Sequence, residues 1–261
     1  MKHPKDQMPP SRRIADDLRS QIKSGQLPPG FKLPAVRVLA ERYDVTQNPV
    51  LKALATLKAE GLVDSIHGSG VYVRQAHPVR RLGPDRYARH RWEMTTVEAH
   101  ANDRPDSPAV VQQGGQAQDV ALVEADERTA AALEIAAGDL VYERARVMTR
   151  DGSPTHTMTS YYRQADVEGT PLVDSRPGIA GRSGGFQVLT DQGLPPQKIT
   201  EDLSARMPTA DEALLLDLPV GEPVVELHRI TRTSDGRPVE YARGIHAASR
   251  FAWSYTFDIP D

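Results

Sequence analysis

The chain has 261 residues, of which 39% are hydrophobic and 26% charged, a composition typical of a globular protein with a buried core. It contains no cysteine, which excludes disulfides, thiolate metal sites and thiol nucleophiles. No stretch reaches the roughly 18 apolar residues of a membrane span, and residues 1–10 lack the apolar segment of a signal peptide, so a cytoplasmic protein without membrane contact is expected.

The formal charge of −3 is unevenly divided along the chain. Residues 1–81 contain 14 Lys and Arg against seven Asp and Glu, whereas residues 82–261 contain 18 against 28. A basic segment on an otherwise acidic chain is expected where one part of a protein meets a polyanion such as DNA. Chance variation of surface charge is the alternative. The basic residues support DNA binding only if the predicted fold places them on one surface.

Residues 1–75 predict three helices followed by two short strands. An apolar residue at every fourth position of residues 14–22 predicts the first helix, and Gly25 can end it. Pro34 suits the first position of a second helix, and Thr46 can cap a third. Short apolar runs on either side of residues 67–70 predict two strands around a glycine-bearing tip. This order predicts a winged helix-turn-helix.

A series of short motifs follows the predicted elements between residues 13 and 73. They are residues 22–30 (IKSGQLPPG), Leu33-Pro34, Leu39-Ala40, Val45-Thr46, Ala53-Leu54, residues 60–63 (EGLV) and residues 68–70 (GSG). In this order they resemble the DNA-binding domain of the GntR family of bacterial transcription regulators. The resemblance implies that the partner is double-stranded DNA.

The start of the third helix carries the candidate DNA-binding residues. A recognition helix places its N-terminal residues over base edges in the major groove, which selects four exposed candidates: Thr46, Gln47, Asn48 and Lys52. The resemblance adds Arg37 on the second helix and the wing tip, His67 and Gly68. Gln and Asn suit bidentate pairing with adenine, although a solvated helix start is the alternative interpretation. Many family members have an arginine that can read guanine where this chain has Gln47, so the operator sequence is expected to differ.

The remainder of the chain predicts a linker and a second domain. Residues 76–92 contain Pro and Gly among many basic residues and predict a linker that lies near DNA. The predicted domains are thus residues 1–75, which bind DNA, and residues 93–261.

An internal repeat organises the second domain. Residues 133–154 correspond to residues 216–238 at an offset of 83, which becomes 84 after one insertion. Each copy predicts a short helix, a strand, an Asp-Gly hairpin turn and a second strand. Two copies predict a pseudo-symmetric antiparallel sheet with helices on one side, which is an α+β fold.

The motifs in this repeat include Glu143-Arg144, residues 151–154 (DGSP) and residues 235–241 (DGRPVEY). With them, residues 93–254 resemble the effector-binding UTRA domain of the HutC subfamily of GntR regulators, whose fold is related to chorismate lyase. The resemblance implies a homodimer and a small anionic effector, such as a sugar phosphate or an organic acid. It implies no cofactor and no metal.

Candidate effector-binding residues come from three segments. Strand alternation places Arg144 and Arg146 on one face, and both match positions that bind phosphate in the family, although a solvated face with ion pairs is the alternative. A glycine-rich segment before a predicted helix adds Ser183, Gly184 and Gly185, either as an anion site or as a flexible loop. Acidic and polar positions on later strands complete the set: Glu201, Glu240 and His246.

The function expected from the sequence is a sequence-specific transcription regulator. It would repress by binding a near-palindromic operator as a dimer, and an anionic effector would release it. One alternative is a constitutive repressor, of the plasmid-transfer type, whose second domain only dimerises. The other is an enzyme of chorismate-lyase-like fold. The sequence contains neither a Ser/His/Asp order nor an H-x-x-x-H spacing that would support this alternative.

Overall fold

A computed structural model describes residues 8–66, 68–74, 79–92, 116–150, 152–176, 180 and 184–259. By its internal packing the chain divides into two compact units. The first unit is Met1–Pro78 with Leu218–Glu222, and the second is Val79–Asp217 with Pro223–Asp261.

The first unit is a three-helix domain with a two-stranded wing. Its elements are α1 (Pro10–Lys23), α2 (Val36–Tyr43), α3 (Gln47–Ala59), β1 (Val63–Ile66) and β2 (Gly70–Val73). The strands pair antiparallel, from Val63 opposite Val73 to Ile66 opposite Gly70. Apolar side chains of all five elements form one core, in which Ile14, Leu39, Val50, Leu57 and Val63 are completely buried. The predicted winged helix-turn-helix is confirmed.

The second helix begins later than its proline suggested. Ala35 has an extended backbone, with ψ of 149°, and α2 begins only at Val36. Pro34 therefore precedes the helix instead of occupying its first position. The helix ends at Tyr43, and the φ of 53° at its C-cap Asp44 lies in the left-handed region and turns the chain toward α3.

The second unit is built on a six-stranded antiparallel sheet. Its strands are β4 (Gln116–Glu124), β5 (Leu140–Arg150), β6 (Ser153–Arg163), β7 (Lys198–Arg206), β8 (Val224–Arg232) and β9 (Pro238–Ala247). They lie side by side in the order β4-β5-β6-β9-β8-β7. Its helices include Glu127–Leu133, Gln164–Val167, Gly185–Asp191 and Ala210–Leu215, with 3₁₀ turns at Pro84–Tyr87, Pro171–Val173 and Ala248–Arg250. Together with the first unit, this confirms an α+β fold.

The sheet follows the internal repeat. Strands β4 to β6 form one half and β7 to β9 the other, and they join where β6 pairs with β9. Thr159 lies opposite Arg243, its own counterpart in the second copy of the repeat, so equivalent positions face each other at the pseudo-twofold axis. Each half has a register shift at the equivalent place, after Met148 in one and after Thr231 in the other. The predicted pseudo-symmetric sheet is therefore present.

Most of the expected linker, residues 79–92, belongs to the second unit. Strand β3 (Arg80–Leu82) pairs in parallel with β10 (Phe251–Trp253), near the end of the chain. Leu82 and Trp92 are buried, at 7% and 6% exposure. Burial of these apolar side chains holds residues 79–92 in the fold, so the expectation of a linker over all of residues 76–92 is wrong for this part.

None of the helices in the described part of the chain is long and apolar enough to span a membrane.

Candidate DNA-binding surface and effector cavity

Helix α3 has one buried face and one exposed face. Its core side is formed by Val50, Ala53, Leu54 and Leu57. The predicted base-reading residues are all exposed: Thr46, which is the N-cap, Gln47, Asn48 and Lys52. The amide side chains that can read base edges are therefore presented to solvent at the helix start, where a recognition helix contacts DNA.

The other predicted DNA-binding residues in the first unit are exposed as well. The side chain of Arg37 is 80% exposed, and its Nε lies 3.6 Å from the Glu41 carboxylate, a weak surface pair that phosphate can replace. Gly68 has φ of +71° and open space around its Cα, which allows close approach of DNA to the wing backbone. His67 lies outside the described residues.

Lys32 is a candidate phosphate contact that the sequence reading did not include. It forms an isolated β-bridge with Tyr72 of the wing, and its Nζ lies 5.7 Å from the centre of the Tyr72 ring. The wing therefore carries a cation from a segment that precedes α2. The signal in the sequence was a single lysine in a turn-rich segment, and only the pairing with β2 places it at the wing.

The second unit encloses a cavity of about 500 Å³ on one face of its sheet. Among the described residues five arginines line it: Arg80, Arg86, Arg91, Arg146 and Arg229. Glu240 is the one acidic residue in that lining. The lining is therefore strongly cationic, and a cavity of this size is typical of small-molecule sites.

Arg146 lies on the sheet side of this cavity, in β5. Its Nη2 donates to Ser160 Oγ at 2.6 Å and its Nε to the Met158 carbonyl at 3.4 Å. In the described part of the chain no carboxylate oxygen lies within 4 Å of its guanidinium. Burial lowers the pKa of Arg146, because the charged form is poorly solvated, and the electrostatic effects of Tyr162 and then of Glu240 offset this lowering only in part.

Arg229, by contrast, is neutralised within the protein. Its Nη2 donates to Glu240 Oε2 at 2.8 Å, and the same oxygen accepts from Thr231 at 3.1 Å. Tyr162 donates to the other oxygen, Oε1, at 3.0 Å. Burial acts to raise the pKa of Glu240, but the charges of Arg229 and Arg146 outweigh it and hold that pKa below its usual value. Glu240 is therefore ionised, and both of its carboxylate oxygens accept hydrogen bonds from the protein.

Two histidines form a neutral part of the wall. The rings of His156 and His246 stack, and Phe251 packs edge-on against each of them. Burial, with the neighbouring charges second, lowers the pKa of His156 to about 2 and that of His246 to about 4. Both rings are uncharged at neutral pH.

The structure places some of the predicted effector residues away from this cavity. Arg144 is buried under the turn Pro171–Val173, where it donates to the carbonyls of Leu172 and Asp174, each at 3.0 Å. Its other terminal nitrogen donates to Gln118 at 2.7 Å. Arg144 shares the strand face with Arg146, as alternation predicts, but both of its terminal nitrogens donate hydrogen bonds to the protein itself.

Glu201 also lies outside the cavity lining. Its carboxylate accepts from Arg86 and Tyr87, which do line the cavity, and from Tyr255 at 2.7 Å. Glu201 therefore holds Arg86 and Tyr87 in position without lining the cavity itself. Near the glycine-rich segment, Gly185 lines the cavity and Gly184 is buried beside it, while Ser183 lies outside the described residues.

An aromatic group at the cavity was missed from the sequence. The Phe186 ring lies 6.1 Å from that of Tyr87 and 5.6 Å from that of Trp92, measured between centroids. The Arg229 guanidinium lies 5.3 Å from the Tyr87 ring centre. Two aromatic residues inside the basic segment 76–92 were the available signal, since solvated linkers seldom carry them.

Comparisons with known proteins agree with this architecture. The family model described as "Bacterial regulatory proteins, gntR family" matches residues 10–73, and the UTRA domain model matches residues 116–252. The HTH-type transcriptional regulator SCO4628 of Streptomyces coelicolor is 46% identical over 253 residues, which cover 97% of this chain and 94% of that protein.

More distant relatives include named repressors. The transcriptional repressor NagR of Bacillus subtilis is 23% identical, over 94% of this chain and 93% of its own length. The mannosyl-D-glycerate transport/metabolism system repressor MngR of Escherichia coli is 25% identical, over 89% of each chain. These relatives are transcription regulators and not enzymes.

Among solved structures, a putative GntR-family transcriptional regulator matches with a TM-score of 0.62 and 28% identity, over 97% of this chain and 99% of its own. PhnF from Mycobacterium smegmatis matches with a TM-score of 0.51 and 20% identity over 95% of this chain and 100% of its own, which supports the fold alone. Because both family models match in order and a relative is 46% identical over nearly the whole chain, this protein belongs to the GntR family as a DNA-binding transcription regulator with a UTRA domain.

Proposed function

We propose that the protein represses transcription from an operator and that a small anionic effector, bound in the arginine-lined cavity, releases it from DNA. The observation that carries this proposal is Arg146. Its guanidinium faces a cavity with four further arginines, and no carboxylate of the described residues lies within 4 Å of it. A buried cation that no carboxylate contacts is costly, so a bound phosphate or carboxylate would gain a charge-assisted hydrogen bond at little further desolvation.

Repression, as opposed to activation, is supported by the relatives. Two of them are named as repressors, NagR and MngR. A repressor of this type would bind a near-palindromic operator as a homodimer, with each recognition helix in one major-groove half-site. By linkage, an effector that weakens DNA binding must itself bind less tightly to the DNA-bound protein, by the same factor.

The test begins with operator binding by the full-length protein. Fluorescence anisotropy is measured on a duplex from the region upstream of its own gene and on a scrambled duplex, at two salt concentrations. Phosphate contacts alone give salt-sensitive, sequence-blind binding, so a preference that persists at the higher salt reports base readout. Equal binding to both duplexes at the higher salt would contradict regulation at this site.

Release is then measured by adding sugar phosphates and organic acids, with neutral sugars as controls. We expect a subset of the anions and none of the neutral sugars to release the operator. Arg146→Gln should bind the operator as the wild type does but resist release. Arg176→Gln is the matched control, because that arginine is 84% exposed in the same unit and is absent from the cavity lining.

The constitutive repressor is the alternative that this experiment separates. It predicts operator binding that no anion of the panel relieves, with Arg146→Gln indistinguishable from the wild type. The effector domain would then serve only for dimerisation.

A further inference from the structure

The exposed face of helix α3 contains a large apolar side chain that the predicted DNA contacts did not include. Leu51 is 52% exposed, although it lies well inside the helix Gln47–Ala59. A single exposed leucine is common on protein surfaces and by itself indicates nothing. What matters here is where Leu51 lies on the helix and which side chains share its face.

Leu51 lies on the same face as the two amide side chains that can read base edges. It follows Gln47 by four residues and Asn48 by three, and residues at these spacings are neighbours on a helix surface. The core side of the helix is formed by other positions: Val50, Ala53, Leu54 and Leu57. Leu51 is therefore presented together with Gln47 and Asn48, on the face that a recognition helix turns toward the major groove.

The exposed face of α3 is also poor in charge. The helix has the sequence QNPVLKALATLKA, which contains no acidic residue. Its further exposed positions include Ala55 and Thr56, and the Thr56 hydroxyl donates to the Lys52 carbonyl at 3.0 Å. Helix α1 of the same unit differs, because it carries six charged residues and packs all of its leucines and isoleucines in or against the core. A face of amides, small residues and one leucine suits the major groove, which presents base edges and methyl groups.

The major groove offers one apolar group to such a side chain, the C5 methyl group of thymine. We infer that Leu51 contacts a thymine methyl group and thereby selects thymine at one position of the recognised sequence. Cytosine at that position would present its N4 amino donor, which a leucine side chain shields from water without pairing it. Leu51 is then a specificity-determining residue. The inference depends on DNA binding by the first unit and is independent of the effector and of repression.

Helix geometry also predicts where this thymine lies. Gln47 and Leu51 are four residues apart, which corresponds to a rise of about 6 Å along the helix axis. Successive base pairs of the duplex are about 3.4 Å apart. The thymine that Leu51 contacts should therefore lie within about two base pairs of the base that Gln47 contacts.

The test uses the full-length protein and a duplex that is selected for tight binding from a random-sequence pool. Each thymine of the selected duplex is replaced in turn by deoxyuridine, which lacks only the C5 methyl group. In fluorescence anisotropy, we expect at least one replacement to weaken binding of the wild type about fourfold, which corresponds to the loss of one buried methyl group. A pool that yields no preferred sequence, or a selected duplex in which no replacement weakens binding, would overturn the inference.

Leu51→Ala is the decisive variant. It should bind the thymine and deoxyuridine duplexes equally, because the side chain that contacts the methyl group has been shortened. Leu51→Met stays long and apolar and should keep the preference for thymine. Lys52→Ala is the matched control on the same face: it should weaken binding to both duplexes alike and keep their ratio at about fourfold.

A preference for thymine that persists unchanged in Leu51→Ala would overturn the inference, since another residue would then contact the methyl group. All three variants change exposed positions and are expected to fold, which their Tm values check. If Leu51→Ala nevertheless unfolds, Leu51→Gln provides the second test, because it keeps the length of the side chain and must lose the same preference. Failure of the inference in either variant would leave release by an anionic effector untouched, since that is measured on the wild type.

Discussion

The imidazole rings of His156 and His246 stack in the arginine-lined cavity of the second unit, with centroids 4.7 Å apart and planes 12° from parallel. They face each other across the central strand pair, His156 on β6 and His246 on β9. Phe251 packs edge-on against both rings, at 5.1 and 4.9 Å. Two imidazoles at this distance cannot both be protonated without strong repulsion, so the stack depends on their neutral form.

This stack predicts a loss of stability in mild acid. Burial lowers the pKa of His246 to about 4, whereas an unfolded histidine titrates near 6.5, so between these values the unfolded state binds more protons. The unfolding free energy must therefore fall as the pH drops from about 6.5 toward 4. For His246 alone the loss at pH 5 is about 2 kcal/mol relative to pH 8.

Urea denaturation at several pH values measures this dependence. His246→Gln should show a shallower decline between pH 6.5 and 5 than the wild type. His90→Gln, at an exposed position, is the control and should leave the slope unchanged. Equal slopes for His246→Gln and the wild type would contradict the assignment of a buried neutral histidine.

Arg144 is expected to stabilise the fold and not to bind effector. Arg144→Ala removes three hydrogen bonds and leaves the Leu172 and Asp174 carbonyls without their partner. The unfolding free energy should fall by about 3 kcal/mol. Arg176→Ala, which loses an exposed pair with the Asp174 carboxylate, should cost less than about 1 kcal/mol. Thermal and urea unfolding measure both, and a stable Arg144→Ala that resists operator release would return Arg144 to the effector site.

Glu240 should be more important for stability than an exposed carboxylate. Glu240→Gln leaves Arg229 with no counter-charge in a buried place and should lower the unfolding free energy by about 3 to 5 kcal/mol. Glu168→Gln, at an exposed position, is the matched control. The double variant Arg229→Gln/Glu240→Gln should cost less than the sum of the single variants, because it leaves no unpaired charge. Additive costs in a double-mutant cycle would show that the pair is not coupled.

Asn48→Ala should weaken operator binding and relax its sequence preference. The exposed amide at the start of α3 can make a bidentate contact with adenine, worth about 1 to 3 kcal/mol of discrimination. Anisotropy on the operator and on single-base variants should show the loss at one A·T position, with the anion response intact. A uniform loss across all sequences would make Asn48 a backbone contact.

Arg37→Ala should act through phosphate. Its side chain is 80% exposed and its surface pair with Glu41 is easily exchanged. The slope of log affinity against log salt should become shallower by about 1, with little change in sequence preference. An unchanged slope would remove Arg37 from the phosphate contacts.

Features that depend on local periodicity can be predicted from the sequence alone. The apolar repeat of α1, the glycine-bearing wing and the internal repeat of the second domain are all visible in one dimension. The internal repeat even predicts which positions are equivalent across the sheet. Positions such as Gln47 and Asn48 could be found because a recognition helix always exposes its start.

Which arginine faces the cavity depends on contacts between distant segments of the chain. Arg144 and Arg146 are two positions apart on one strand face, and alternation treats them alike. The chain covers Arg144 with the turn Pro171–Val173, while Arg146 stays open to the cavity. Glu201 likewise lies behind Arg86 and Tyr87 because residues 79–92 return to the sheet. What covers a strand face comes from segments far away in the sequence, and strand alternation carries no information about them.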